Sequence, residues 1–115
     1  MAENLDIAAL RENIEHTYPN VQVGIRIDPI GDLVLDKIIV PDHQRSSGTG
    51  SAIMTLLADI ADGHQIRMAL TPTDDYGGSV TRLRTFYKRW GFVENSGRNK
   101  DFATKQTLLR EPANR

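Results

Sequence analysis

Residues 40–54 read VPDHQRSSGTGSAIM. An apolar run stops at a proline, an arginine and small residues with two spaced glycines follow, and an apolar helical pattern begins at once. No other segment narrows the choice of folds as much, because it asks a strand to stop, bare its backbone and restart as a helix. At a helix N-terminus about four backbone N–H groups lack intrahelical partners and the helix dipole adds partial positive charge. Small residues there let a bulky anion come close to the backbone. Arg45, Ser46, Ser47, Gly48, Thr49 and Gly50 therefore have the make-up of a phosphate cradle, with the Arg45 guanidinium and the hydroxyls as further donors. Taken alone, a glycine-softened turn with no ligand is the simpler reading. The nucleoside-triphosphate loop is excluded because no Gly-Lys-Ser/Thr follows, and the dinucleotide fingerprint because Ile53 stands where its third glycine belongs.

The flanking chain supplies the rest of a small α/β domain. Residues 5–18 place Ile7, Leu10, Ile14 and Tyr18 on one helical stripe, which Pro19-Asn20 interrupts. VQVGIRID alternates as a half-buried strand, and the turn residues 29–32 predict an antiparallel return through DLVLDKIIV. After the glycines, Ile53, Leu56, Leu57 and Ile60 form a core-facing helical stripe, with Gly63 placed to cap it. QIRMALT reads as a third strand and PTDDYGG as a loop. Ser79 caps a helix whose seam is Leu83, Phe86, Tyr87 and Trp90 and which Gly91 ends. FVEN and FATKQTLLR are expected to be closing strands around the polar loop SGRNKD, and the tail 111–115 to fray. The order describes one domain over residues 1–115, a mixed sheet covered by helices.

Composition excludes several classes of function. The 115 residues carry a formal net charge of −1 and 39% hydrophobic residues, which gives no reason to expect nucleic acid or an anionic membrane as a partner. Cysteine is absent, so disulfides, thiolate metal sites and a cysteine nucleophile are ruled out, and no metal site is expected. The acidic start MAENLDIAALREN is unlike a secretory leader, and no apolar run approaches membrane-spanning length, so a cytoplasmic protein is expected. The cations Arg82, Arg84, Lys88 and Arg89 are expected on the solvent side of their helix, where a nucleic-acid module is the weaker reading.

A second motif gives the glycine turn its meaning. LRTFYKRWGF, residues 83–92, lies one strand downstream, and the two together resemble the GCN5-related N-acetyltransferase superfamily over roughly residues 33–110. The resemblance rests on Arg45, Gly48 and Gly50 with Val40 five residues before the arginine, and on Phe86, Tyr87, Gly91 and Phe92. It implies that residues 33–110 form an acetyl-coenzyme A-binding core, preceded by a reduced N-terminal helix and hairpin strand over residues 1–32. The implied fold is a mostly antiparallel sheet, splayed at the cofactor and flanked by helices. The implied cofactor contacts are Ile39 and Val40 on the strand, residues 45–51 (Arg45, Ser46, Ser47, Gly48, Thr49, Gly50 and Ser51) in the turn, and Phe86, Tyr87 and Arg89 on the later helix. The implied reaction is direct acetyl transfer from the thioester to an amine acceptor.

In that reaction Tyr87 takes the place of the general acid, or else belongs only to the core seam it shares with Leu83, Phe86 and Trp90. Asp36 is either a cleft-facing base or a charge at a sheet edge, since a period of two puts it on the face of Val34, Ile38 and Val40. His43 is a second candidate base or a surface histidine, and His16 and His64 read as surface. Asp74, Asp75 and Tyr76 stand where an acceptor amine would approach, or in a solvated turn; Arg98, Asn99, Lys100 and Asp101 line the acceptor side or close a hairpin. Three features depart from the family pattern: Ser46 replaces a glycine, Val80 replaces an asparagine that bonds the cofactor, and the part before the motif is short. A short N-terminal part predicts an open acceptor site, or one completed by a second subunit in a homodimer. The competing reading is a module that keeps the fold and cofactor site without turnover.

Overall fold

The computed structural model describes residues 5–44, 48–73 and 79–113. Helix α1, Ile7–Thr17, starts at Asp6, whose carboxylate accepts from the Ala9 amide at 3.0 Å, and buries Leu10 and Ile14. Asn20, at φ 73°, turns the chain into β1, Gln22–Ile27; Val21 just before it and Val23 and Ile25 within it point inward. Asp28 closes the next turn by accepting from the amides of Ile30 and Asp32, and β2, Leu33–Ile39, returns antiparallel to β1 as expected.

Helix α2, Thr49–His64, is longer than its glycine suggested. Gly63 lies inside it, and the left-handed terminating residue is Gln65 at φ 54°. There the Ile66 amide reaches the Ala61 carbonyl at 2.8 Å, while Ile66 packs onto the core. That apolar contact and the Gln65 side-chain bond to the Asp62 carbonyl, 2.7 Å, outweigh the modest cost of a non-glycine residue in this conformation.

Strand β3, Met68–Leu70, is short and buried on both faces. Helix α3, Val80–Lys88, is capped by Ser79, whose hydroxyl accepts from the Arg82 amide at 3.4 Å, and the chain leaves it through Gly91 at φ 92°. The two closing strands are far shorter than expected: β4 is Val93–Glu94 and β5 is Leu108–Arg110. The reason is Asn95. Its amide group donates to the carbonyls of Asp101 and Gln106 and its oxygen accepts from the Asp101 amide, so residues 96–106 form a loop tied to Asn95 and not a ladder.

The five strands form one mixed sheet in the order β1-β2-β3-β5-β4. Among the described residues only the β2–β3 pairing is parallel. The main core lies on one face, where Leu10 and Ile14 of α1, Ile53, Met54, Leu57 and Ala61 of α2, and Tyr87 of α3 meet Leu33, Leu35, Met68, Leu70 and Leu108. Each fully buried aliphatic side chain there contributes roughly 1.5–3 kcal/mol. Val34, Ala69 and Leu109 form a small cluster on the opposite face.

Candidate active site

Strands β2 and β3 pair over only three residues, Leu33 with Met68, Val34 with Ala69 and Leu35 with Leu70. Then β3 ends, while β2 runs on to Ile39. At that point β2 also carries a bulge: Ile25 pairs with Leu35 and Gly24 with Lys37, so Asp36 is the extra residue. A Cβ on Gly24 would lie 3.1 Å from the Lys37 side chain, so the neighbouring strand gives way to the bulge by having no side chain. The result is a cleft of about 700 Å³ between residues 35–40 of β2, residues 70–73 after β3, and α3. Helix α3 turns Arg82, Thr85, Phe86 and Arg89 toward it, a spacing that puts all four on one stripe.

A smaller hollow of about 260 Å³ shares Val40, Gly50 and Phe86 with the cleft and reaches the start of α2 at Gly48, Thr49 and Ser51. Gly48 is at φ 85°, a conformation that L side chains adopt only with strain, and among the described residues no side chain caps the helix. Gly50 lies close to Phe86: a Cβ there would sit in ordinary contact, 3.6 Å from its ring. The start of α2 thus opens onto the hollow, its first-turn amides directed outward.

Ile39, Val40, Gly50, Phe86, Tyr87 and Arg89, six of the expected cofactor contacts, line the cleft, and Gly48, Thr49 and Ser51 line the adjoining hollow. Arg45, Ser46 and Ser47 lie outside the described residues, as do Asp74, Asp75 and Tyr76. Tyr87 packs its ring edge-on against Phe86 and Phe92, at 5.3 and 5.9 Å between centroids, and also borders the cleft. Burial pushes its phenol above the ordinary tyrosine range, so the group keeps its proton. Among the described residues none hydrogen-bonds its hydroxyl.

Asp36 also borders the cleft and is the one carboxylate among the described residues that do. Its expected face needs correction. The bulge breaks the period of two, so Val34 faces the small cluster while Ile38 and Val40 face the main core. Arg26 on β1 holds the carboxylate through Nε at 3.0 and 3.4 Å, with both side chains about half exposed. His43 lies exposed in a short 3₁₀ turn, Asp42–Gln44, and does not border the cleft. Val80 does not border it either, whereas Ser79 and Thr81 do.

The cations of α3 divide into two sets. Arg82 and Arg89 border the cleft, while Arg84 and Lys88 reach Glu94 at 3.6 and 3.9 Å; Arg82, Lys88 and Arg89 are exposed, as expected. The 98–101 loop stands away from the cleft and closes the β4–β5 connection. Arg67 ties it down, bonding Asp32 at 2.7 Å and Asp101 at 2.9 Å. The hydrogen bond from Arg67 to Asp32 raises the guanidinium above its usual range. The Ala103 amide and then Arg67 hold the Asp101 carboxyl below its own.

Sequence reasoning missed a buried ion pair, Asp62 on α2 with Arg110 on β5, at 2.7 Å and with only 2% and 8% exposure. The signal was present: Asp62 continues the buried stripe of Met54, Ala58 and Ala61, where an acid requires a partner. Among the described residues no group of three or more His, Cys, Asp or Glu side chains can hold a metal, and no helix is long and apolar enough to cross a membrane.

No protein-family model matches the chain, and no curated protein sequence is significantly similar to it. Among solved structures it is similar to Ard1 from Thermoplasma volcanium, at 17% identity and a TM-score of 0.57, over 96% of this chain and 82% of Ard1. It is also similar to a variant of the AtaT toxin bound to the C-terminus of the antitoxin AtaR and acetyl-CoA, at 12% identity and a TM-score of 0.49, over 79% of this chain and 55% of that one. The first likeness shows the architecture alone: a GCN5-related N-acetyltransferase-like fold, with a five-stranded mixed sheet and three α-helices among the described residues.

Proposed function

We propose that the protein is an acetyl-coenzyme A-dependent N-acetyltransferase acting on a primary amine. The observation that carries this reading is the gap beside β2, which meets the start of α2 at one end and passes Tyr87 on its way. Acetyl-coenzyme A supplies an acetyl group already activated as a thioester, and the residues present suit its parts. The α2 amides and Arg89 suit the pyrophosphate, and the apolar wall of Ile38, Ile39, Val40 and Phe86 suits the thin arm behind it.

Only a neutral amine attacks the carbonyl carbon, so its proton must leave, and Asp36 is the carboxylate positioned to take it directly or through water. As the C–N bond forms and the C–S bond breaks, the sulfur leaves as a thiolate. Tyr87, kept protonated by burial, donates to it. The acceptor approaches from solvent, and a cytoplasmic setting and a second subunit completing the acceptor side belong to the same proposal. One observation favours the alternative of a binding module without turnover: Arg26 already engages both oxygens of Asp36.

The cofactor assignment is tested at Gly50, which has no strained φ, whereas Gly48 does. In Gly50→Glu the new carboxylate suits the helix dipole and so spares α2, but it blocks the hollow and repels phosphate. Calorimetry is expected to show loss of acetyl-coenzyme A binding with an unchanged melting temperature; unchanged affinity rejects the assignment. Release of free coenzyme A across a panel of small and peptide amines then separates the enzyme from the silent module.

A further inference from the structure

We propose that Asp62 and Arg110 are positioning residues for the cleft, fixing the C-terminal end of α3 and with it Phe86 and Tyr87. The inference rests on the function proposed above for its meaning, but not for its geometry. The Arg110 guanidinium donates in two directions at once. Its two terminal nitrogens bond Asp62 at 2.7 and 3.1 Å, and Nε bonds the carbonyl of Trp90. That carbonyl lies two residues past Lys88, in the turn that ends α3, where the Trp90 amide still bonds the Tyr87 carbonyl. The Ala113 amide bonds the same carboxylate at 2.8 Å, and Gln65 bonds the Ala113 carbonyl at 3.1 Å, so the acid is held from α2 and from the chain beyond β5.

From Trp90 the contacts continue into the cleft. Its indole donates to Thr55 of α2 at 3.3 Å and its ring lies 4.7 Å from that of Phe86. Phe86 borders both hollows and neighbours Tyr87. Gly91, left-handed at φ 92°, carries the chain past Arg110, and a Cβ there would lie 3.9 Å from its side chain. The remaining ion pairs of α3, with Glu94, are exposed and long, so they hold the helix weakly.

A buried ion pair is a poor device for stability, because an apolar pair of similar volume commonly does as well. An apolar side chain cannot, however, donate to the Trp90 carbonyl from a fixed direction. Only a planar, multiply donating cation does that while satisfying Asp62. Directional restraint of α3 is therefore what the charge provides here.

The double variant Asp62→Leu/Arg110→Met and the single variant Arg110→Lys test this. The double variant keeps the packing without the restraint; the lysine keeps one charge contact but not the forked geometry. In both, amide exchange over residues 82–90 is expected to accelerate about tenfold relative to α2. Acrylamide quenching of Trp90, the only tryptophan, is expected to increase. Turnover is expected to fall about tenfold or more through kcat, with a smaller change in KM for acetyl-coenzyme A. Wild-type exchange in α3 of a folded variant overturns the inference. Should the double variant not fold, the lysine variant decides by the same reading. An inert wild-type protein defeats the proposed function alone, since exchange and quenching need no turnover.

Discussion

Tyr87 and Asp36 differ in how far their surroundings could be read from neighbouring residues. Tyr87 was legible because its seam on α3 and its motif are local, and the structure places it both in the packed seam and at the cleft. Asp36 was legible as a carboxylate near the site, but a bulge has no signature in a single sequence, so its face was misassigned. Its surface pair with Arg26 is worth only about 0–1 kcal/mol, too little to anchor the carboxylate against an arriving ammonium. Tyr87→Phe is expected to lower kcat by about 10²–10⁴-fold, the usual range for a lost acid, with acetyl-coenzyme A affinity unchanged in calorimetry. The pH profile carries a second signature. Burial raises the Tyr87 pKa, so if Tyr87 is the acid, as proposed, it stays protonated through neutrality and the alkaline fall in kcat is expected above the ordinary tyrosine value of about 10. The phenylalanine variant should lack that fall; a variant that retains it assigns the acid elsewhere.

Among the elements, those set by contiguous residues were read well. The stripe of α2, the Ser79 cap of α3 and the β1–β2 hairpin each depend on neighbours within a few positions. What failed depended on side chains distant in sequence. The end of α2 is decided by Ile66 meeting the core and by Gln65 reaching Ala113, neither of which a cap rule contains. Residues 102–107 were expected in a closing strand, yet Asn95 holds the loop at Asp101 and Gln106 and β5 begins only at Leu108. Asn95→Ala removes three hydrogen bonds to a partly buried loop and is expected to cost about 1–3 kcal/mol. Urea denaturation measures that loss, and the β4–β5 amides should exchange faster than those of β1 and β2. An unchanged unfolding midpoint would show that the loop stands without its asparagine.

For the whole molecule, the mixed sheet was legible from element order, while the ions that join its parts were not. Arg67, Asp32 and Asp101 connect the beginning of β2, the beginning of β3 and the 98–101 loop, and nothing in their spacing announces it. Their effect is visible in acid. The folded-state pKa of Asp101 is lowered, so its contribution is present above the ordinary carboxylate value of about 4 and disappears as pH falls through the folded-state value. Arg67 stays charged throughout. Denaturant midpoints at neutral and acid pH are expected to differ less in Asp101→Asn than in the wild type; equal differences would remove Asp101 from the acid response.

The three-residue parallel pairing of β2 with β3 has a mechanical consequence for the whole sheet. It is a ladder whose upper rungs are absent, joining one antiparallel half, β1 and β2, to the other, β3, β5 and β4. A molecule lying along the open edge of β2 would replace those rungs and lace the halves together. Empty and filled protein should then differ in rigidity as well as in melting temperature, by about 2.7 kcal/mol at a hundredfold excess over Kd. On the proposed function the gap would then double as the joint between the halves, and thermal shift becomes a direct screen for whatever fits it.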